Sequence, residues 1–219
     1  RLLNDEVIIA HELLADLNAG SPDRSFYSLT NEHHKKVNLE DFHRPRVMMG
    51  FDPGSLHNAA FAPLIQDDYG FTYALKNEIF DNSTMAGWVD QMLTKYGMFD
   101  VYAEESVTAY SKAGAGWLAV LRRAGITVHI VSNRHMDDQL MVCNEVFRRK
   151  VYNENNGKEE YEFNISEDNR WYTMSYMYGM KNSDPEQKKM SHPAESLIAI
   201  IFYLNKHILQ DRQGDYSAA

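Results

Sequence analysis

The pattern that predicts the fold begins in residues 46–54, RVMMGFDPG, where a short apolar strand is indicated over 47–51 and is followed by Asp52 and a Pro-Gly turn. An acidic residue that directly follows a run of apolar residues lies at the end of a buried strand, at one edge of the sheet. Asp-Pro-Gly is also favourable turn chemistry by itself. Asp52 is therefore either a turn residue or a carboxylate presented at the edge of a sheet.

The sequence beyond Asp52 predicts alternating strands and helices. Strands are indicated over 58–66, 71–80, 100–105 and 127–131. Helices are indicated over 85–96, 112–124, 137–151 and 193–209, and a hairpin that pairs 150–152 with 161–165 turns at Asn155-Asn156-Gly157-Lys158. Three antiparallel strands followed by alternating helices and strands predict an α/β protein, with a mixed five-stranded sheet and helices on both faces. This is the element order of the RNase H-like fold.

The residues before 46 follow a different pattern. Residues 2–17 have the spacing of an amphipathic helix, and residues 18–22 contain the Gly and Pro of a strong helix stop. A short strand is indicated over 25–29. We expect a linker, or the tail of a preceding domain, over 1–45, an RNase H-like domain over 46–209, and a frayed tail over 210–219. Because the chain opens on Arg1 without an initiator Met, we expect it to be a fragment.

Composition excludes several classes of protein. The single cysteine, Cys143, rules out a disulfide framework and a Cys-rich zinc site. No apolar run reaches the ~18 residues of a membrane span. The formal net charge of −9 argues against a protein that holds nucleic acid through its overall field. If the chain binds DNA, local basic patches and a larger assembly must supply the contacts.

A second pair of acidic residues, Glu104 and Glu105, ends the predicted strand over 100–105. Side chains alternate along a strand, so only one of the two can share a site with Asp52. Placement of both on the protein surface is the alternative.

A third acidic position is Glu195, two residues after Pro193 and in the predicted first turn of the last helix. The helix dipole by itself favours an acid at such a position, which is the alternative to a functional role. His192 lies at the same helix start, either as a cap-region residue or as an accessory polar group of a site.

Together these positions indicate a metal site. In the predicted fold, the ends of the first and fourth strands and the start of the last helix converge on one edge of the sheet. Three carboxylates there repel each other unless a cation holds them. Mg²⁺ and Mn²⁺ take oxygen ligands and keep positions open for water and phosphate. Two such ions ~4 Å apart stabilise the attacking and leaving oxygens in phosphodiester cleavage.

Four stretches resemble motifs of the RNase H/RuvC-like nucleases, and of phage large terminase nuclease domains in particular. They are MMGFDPGS (48–55), DVYAEES (100–106), WLAVLRRAGITVHIV (117–131) and KKMSHPAESLIAIIFYL (188–204). The last is similar to the final terminase motif, Lys-Asn-x-x-Ser-His-x-x-Asp-Ala-Leu before an apolar helix. Two departures stand out, because Glu195 occupies the usual Asp position and Met190 the usual Asn position.

The resemblance implies that Asp52, Glu104 and Glu195 are both the catalytic residues and the ligands of two Mg²⁺ or Mn²⁺ ions, with His192 and Glu105 as possible accessory groups. It implies an endonuclease that cuts double-stranded DNA during viral genome packaging in the host cytoplasm. The implied partners are DNA, a packaging ATPase domain, a portal and a small terminase subunit. This chain carries no Gly-x-x-x-x-Gly-Lys-Ser/Thr phosphate loop of its own.

Basic clusters supply the candidate DNA contacts. Lys188 and Lys189, directly before the Glu195 helix, are the best candidates for holding phosphate. Arg148 and Arg149 are further candidates, although the end of a helix favours basic residues in any case. Two other functions remain open, a RuvC-type Holliday-junction resolvase and a catalytically inactive RNase H-like module used for protein contacts.

Overall fold

A computed structural model of the protein describes residues 26, 28–43, 45–53, 58–81, 85–108, 116–131, 135–169 and 191–208. The strands in this part of the chain are β1 (His34–Lys35), β2 (Arg46–Asp52), β3 (Asn58–Gln66), β4 (Thr72–Ala74), β5 (Glu78–Asp81), β6 (Asp100–Glu104), β7 (Val128–Val131), β8 (Lys150–Asn153), β9 (Lys158–Tyr161) and β10 (Phe163–Ser166). The α-helices are α1 (Met85–Tyr96), α2 (Trp117–Arg123), α3 (Met136–Arg148) and α4 (Ser191–Asn205).

Five strands form the centre of one mixed sheet, in the order β4-β3-β2-β6-β7. β3 is antiparallel to both β2 and β4, whereas β6 runs parallel to β2 and β7 parallel to β6. A three-stranded meander followed by two parallel strands is the RNase H-like arrangement, so the predicted fold class is confirmed. The strands β5, β10 and β1 enlarge this sheet to eight strands, against the predicted five, and β8 and β9 form a separate hairpin.

Helices cover both faces of the sheet, as predicted. Met48 of β2 and Tyr102 of β6 lie in one apolar cluster with residues of α3 and α4. Met49 follows Met48 on β2, and Val101 precedes Tyr102 on β6. Both lie in a second apolar cluster, with residues of α1 and α2. Because side chains alternate along a strand, the even-numbered residues of β2 and β6 face α3 and α4.

The third predicted strand is interrupted. β4 and β5 both pair with β3, but the three steps from Leu64 to Phe61 on β3 correspond to the four steps from Ala74 to Glu78 on the partner. The extra residue is a β-bulge. It lies beside Pro63, which has no N–H to give to a ladder, and prolines inside sheets are found at edges and bulges.

Several predicted boundaries change. The helix over 85–96 is confirmed, but α2 begins at Trp117 because Gly116, its N-cap, is extended. α3 ends at Arg148, since β8 follows at Lys150. The hairpin pairs β8 with β9, and β10 instead joins the main sheet parallel to β4, so the predicted pairing of 150–152 with 161–165 was wrong beyond residue 161.

The segment predicted as a linker contributes to the core where the structure describes it. Phe26 and Leu29 are buried in the cluster with α3, and no strand forms at the described residues among 25–29. The buried ring of His33 stacks on Tyr161, and its Nε2 donates a hydrogen bond of 2.7 Å to the carbonyl oxygen of Phe147. Burial lowers the pKa of His33 and keeps it neutral. The described residues among 26–35 therefore pack against the core of this domain, and the division of the chain at residue 45 stays a prediction. The predicted helix over 2–17 and the tail over 210–219 lie outside the described residues.

Candidate functional site

The sheet brings Asp52 and Glu104 side by side. β2 and β6 are parallel, and the last pair in their register is Phe51 opposite Ala103. Asp52 and Glu104 occupy the next position, at the ends of two strands that lie about 4.8 Å apart. Both are even-numbered, so both face α3 and α4. The register of β2 and β6 therefore places the two predicted strand ends side by side at one edge of the sheet.

Gly50 brings α4 onto the same strand. A Cβ atom added to Gly50 would lie 1.9 Å from the carbonyl oxygen of Ser196, on α4. Only a residue without a side chain permits this approach of helix backbone to strand backbone. Glu195 precedes Ser196, and Gly50 lies two residues before Asp52 on the same face. The close contact thus sets Glu195 beside the strand end that carries Asp52.

The electrostatics of Glu104 report the convergence of the three carboxylates. Burial raises the pKa of Glu104, and the negative charges of Glu195 and Asp52 raise it further. A hydrogen bond from the side chain of Gln139 acts in the opposite direction because it stabilises the ionised form. The ionised carboxyl of Glu104 is therefore held at a cost, which a bound cation would offset.

The donor set suits a hard divalent cation. The three converging side chains offer only carboxylate oxygens, the ligands that Mg²⁺ and Mn²⁺ prefer. Across the part of the chain that the structure describes, no three His, Cys, Asp or Glu residues stand close enough together to hold a metal ion between them. Proteins usually bind Mg²⁺ through one or two carboxylates, with water in its remaining positions, so a complete set of three ligands is not required.

Two sequence predictions about acidic residues now have a geometry. Glu105 opens a 3-10 turn over Glu105–Thr108 and is exposed, whereas Glu104 is partly buried on the inner face. Glu195 is the fifth residue of α4, since the helix starts at Ser191, and its predicted place in the first turn was wrong. Because the dipole effect is confined to the end of a helix, this position weakens the helix-dipole explanation of Glu195.

Arg148 and Arg149, the described basic candidates, contact residues away from the carboxylates. Arg148 bonds to Glu145 and to Ser28 at the C-terminal end of α3. Arg149 donates to Asn205, the last residue of α4, about 15 Å along that helix from Glu195. The structure therefore does not bring Arg148 and Arg149 to the carboxylates.

Three other predicted site residues are described only in part or not at all. Lys188 and Lys189 lie outside the described residues, and of His192 only the backbone is described.

Gln139 is the residue near the carboxylates that the sequence analysis missed. It lies on α3, is 1% exposed, and hydrogen-bonds to Glu104. The signal was present in the helical spacing, because Gln139 shares a face with Val142, Cys143 and Val146, all buried. A polar residue on the apolar face of a helix that packs on the sheet indicates a buried polar partner.

No protein-family model matches the chain, and no curated protein sequence matches it. Solved structures do match by fold. The large terminase from the thermophilic bacteriophage D6E, in complex with ATP-gamma-S, has a TM-score of 0.56 and 13% identity over 82% of this chain and 45% of that chain. The nuclease domain of the P22 large terminase has a TM-score of 0.53 and 12% identity over 82% of this chain and 90% of its own. The large terminase nuclease of thermophilic phage G20c with bound cobalt has a TM-score of 0.50 and 11% identity, over 81% and 94%.

The chain spans less than half the length of the D6E structures, at 44% of one and 45% of another. No helix in the described ranges is long and apolar enough to cross a membrane. At identities of 11–14%, these superpositions show a shared fold and no more. The protein therefore has the RNase H-like fold, in the arrangement that is also found in the nuclease domains of phage large terminases.

Proposed function

We propose that this protein is a divalent-metal-dependent DNA endonuclease, and that it serves as the nuclease domain of a phage large terminase subunit. Its substrate is duplex DNA, which it cuts during genome packaging, with a packaging ATPase domain, a portal and a small terminase subunit as its partners. One observation carries the proposal, namely that Asp52 and Glu104 end adjacent parallel strands of an RNase H-like sheet while the α4 backbone beside Glu195 packs on the same strand at Gly50.

The proposed chemistry follows from the donor set. Asp52, Glu104 and Glu195 would hold two Mg²⁺ or Mn²⁺ ions, which would supply electrostatic stabilisation of the charge that develops during cleavage of a phosphodiester. Gln139 orients the carboxylate of Glu104 through their hydrogen bond. The backbone contact at Gly50 fixes the height of α4 over the sheet and thus the position of Glu195.

The charge balance limits how this domain holds DNA. With a net charge of −9, it has no overall field that attracts phosphate. Arg148 and Arg149 lie at the ends of α3 and α4 remote from the carboxylates. We therefore propose that Lys188 and Lys189 bind phosphate near the site, and that the rest of the packaging assembly supplies most of the contacts to DNA.

Plasmid cleavage tests the proposal. Supercoiled plasmid is incubated with the protein and Mn²⁺, with and without chelator, and Mn²⁺ binding is measured in parallel by calorimetry. We expect cleavage that requires the ion and that is lost in Asp52→Asn and in Glu104→Gln. Glu105→Gln is the matched control and should cut like the parent, because Glu105 is exposed outside the site. Full activity of Asp52→Asn would refute the assignment.

The same experiment separates the competing functions. One observation favours a catalytically inactive module, namely that the described residues contain no group of three His, Cys, Asp or Glu side chains close enough to hold a metal ion. Such a module would show neither specific Mn²⁺ binding nor cleavage. A branched DNA junction in a parallel reaction addresses the resolvase, since cleavage of the junction in preference to plasmid would favour a RuvC-type activity over a packaging nuclease.

A further inference from the structure

Three buried polar side chains meet at the start of α4. The side-chain Nδ2 of Asn77 donates to the carbonyl oxygen of Pro193 at 3.2 Å, and the hydroxyl of Ser196 donates to the same oxygen at 2.7 Å. Asn77 is also paired with Asn169, whose Oδ1 accepts from the Asn77 backbone N–H and whose Nδ2 donates to Asn77 Oδ1, both at 3.4 Å. Asn77 is 2% exposed, and Asn169 and Ser196 are fully buried.

Asn77 therefore connects three parts of the chain that are distant in sequence. It lies between β4 and β5, Asn169 ends the 3-10 turn after β10, and Pro193 belongs to the first turn of α4. Pro193 is two residues from Glu195, so the hydrogen bond from Asn77 ties the helix turn next to this carboxylate to the sheet.

The bulge in the third predicted strand is what turns Asn77 toward α4. Ala74 lies in the cluster under α3 and α4, and strict alternation from Ala74 would place residue 77 on the opposite face. The extra residue between β4 and β5 reverses the alternation, so Asn77 reaches Pro193. Bulges occur next to active sites, where they redirect a side chain in this way.

We infer that Asn77 is a positioning residue for the metal site, one that holds the first turn of α4, and with it Glu195, at the height required for metal binding. This inference rests on the proposed function, because it takes Glu195 as a ligand. Asn77 acts through the backbone of α4 and does not touch the ion. Outer groups that orient metal ligands typically contribute about 10- to 100-fold to metal affinity.

The test measures Mn²⁺ affinity by calorimetry in the full chain and hydrogen exchange at the backbone amides of residues 194–198 without metal. In Asn77→Ala we expect the dissociation constant for Mn²⁺ to rise at least about tenfold and the amides to exchange faster than in the parent. Asn77→Ser is the second variant, because its side chain stays polar but is too short to reach the Pro193 carbonyl. It should shift both measurements in the same direction if Asn77→Ala does not fold.

Asn144→Ala is the matched control. Asn144 is also fully buried, and its side chain accepts from the Ser28 N–H and donates to the Leu140 carbonyl, at 2.9 Å each. It should lower the melting temperature without changing Mn²⁺ affinity or exchange at 194–198. Unchanged exchange and affinity in folded Asn77 variants, or equal losses in Asn144→Ala, would overturn the inference. If the parent binds no Mn²⁺, the proposed function fails instead, and the exchange measurement still decides whether Asn77 holds the helix turn.

Discussion

Gly50→Ala is the substitution that most directly probes how the carboxylates are assembled. The added Cβ would lie 1.9 Å from the Ser196 carbonyl oxygen and 2.9 Å from Cγ2 of Ile200. Ordinary contacts begin at 3.4 Å, so α4 must withdraw by the difference between 3.4 and 1.9 Å, 1.5 Å. The obstacle is helix backbone, which cannot rotate away as a side chain can.

The magnitude follows from the cost of overpacking. Insertion of a methyl group into a packed interface costs about 1–3 kcal/mol, and a clash with backbone belongs at the upper end. For a chain of this size, 3 kcal/mol lowers the melting temperature by roughly 6–12 °C. A displacement of Glu195 by more than 1 Å should also reduce cleavage about 100-fold, beyond what the loss of folded protein explains.

Thermal denaturation and plasmid cleavage at a temperature where both proteins remain folded measure the two effects. Gly87→Ala is the control, because Gly87 lies exposed in α1 and a Cβ there meets nothing within 4 Å. It should melt at or above the parent's temperature, since Ala favours helix over Gly by up to about 1 kcal/mol. If Gly50→Ala melts and cuts like the parent, α4 does not lie on β2 as described, and the proposed geometry of Glu195 fails with it.

Three further predictions concern ionisation, metal preference and DNA binding. The raised pKa of Glu104 means that the folded state binds this proton more tightly than the unfolded chain, so stability is lost as pH rises from about 4.5 through the folded pKa. Without metal, Glu104→Gln should therefore melt at a higher temperature than the parent at neutral pH, but not below pH 4.5. Melting temperatures of the two proteins that change in parallel with pH would contradict this. Glu195 has one more rotatable bond than the Asp of the terminase motif that it resembles, so cleavage should be faster with Mn²⁺ than with Mg²⁺. Glu195→Asp should reduce this difference between the two metals, and Glu195→Ala should be inactive. Undiminished cutting by Glu195→Ala would leave this residue without a metal role. The affinity for duplex DNA should fall with salt as expected for about two to four phosphate contacts, each of which contributes ~0.9 to the slope of log affinity against log salt concentration. A slope near eight would contradict a domain that relies on the rest of an assembly for most of its DNA contacts.

The sequence alone was sufficient for the fold class and for most of the element order. The apolar runs over 47–51 and 58–66, separated by a Pro-Gly turn, predict two neighbouring strands, and the helix over 85–96 follows from its apolar spacing. These are local signals, since each residue's preference is decided by neighbours a few positions away. The same is true of the carboxylates at strand ends, because an acid after an apolar run is visible without knowing what lies beside it.

Only the tertiary structure decided which distant parts meet. The burial of His33 depends on Tyr161 and Phe147, more than a hundred residues away, and no local pattern shows that contact. The bulge beside Pro63 is likewise a property of two paired strands, and it decides which way Asn77 points.

The residues of the candidate site also differ in how much of their role the sequence reveals. Asp52, Glu104 and Glu195 are legible in the sequence because acids at the ends of apolar elements stand out locally. The helical spacing puts Gln139 on an apolar face, but its partner Glu104 and the role of Gly50 depend on which helix packs on which strand. Side-chain type is written in the sequence, whereas the distance between two backbones is set by the packing of the whole domain.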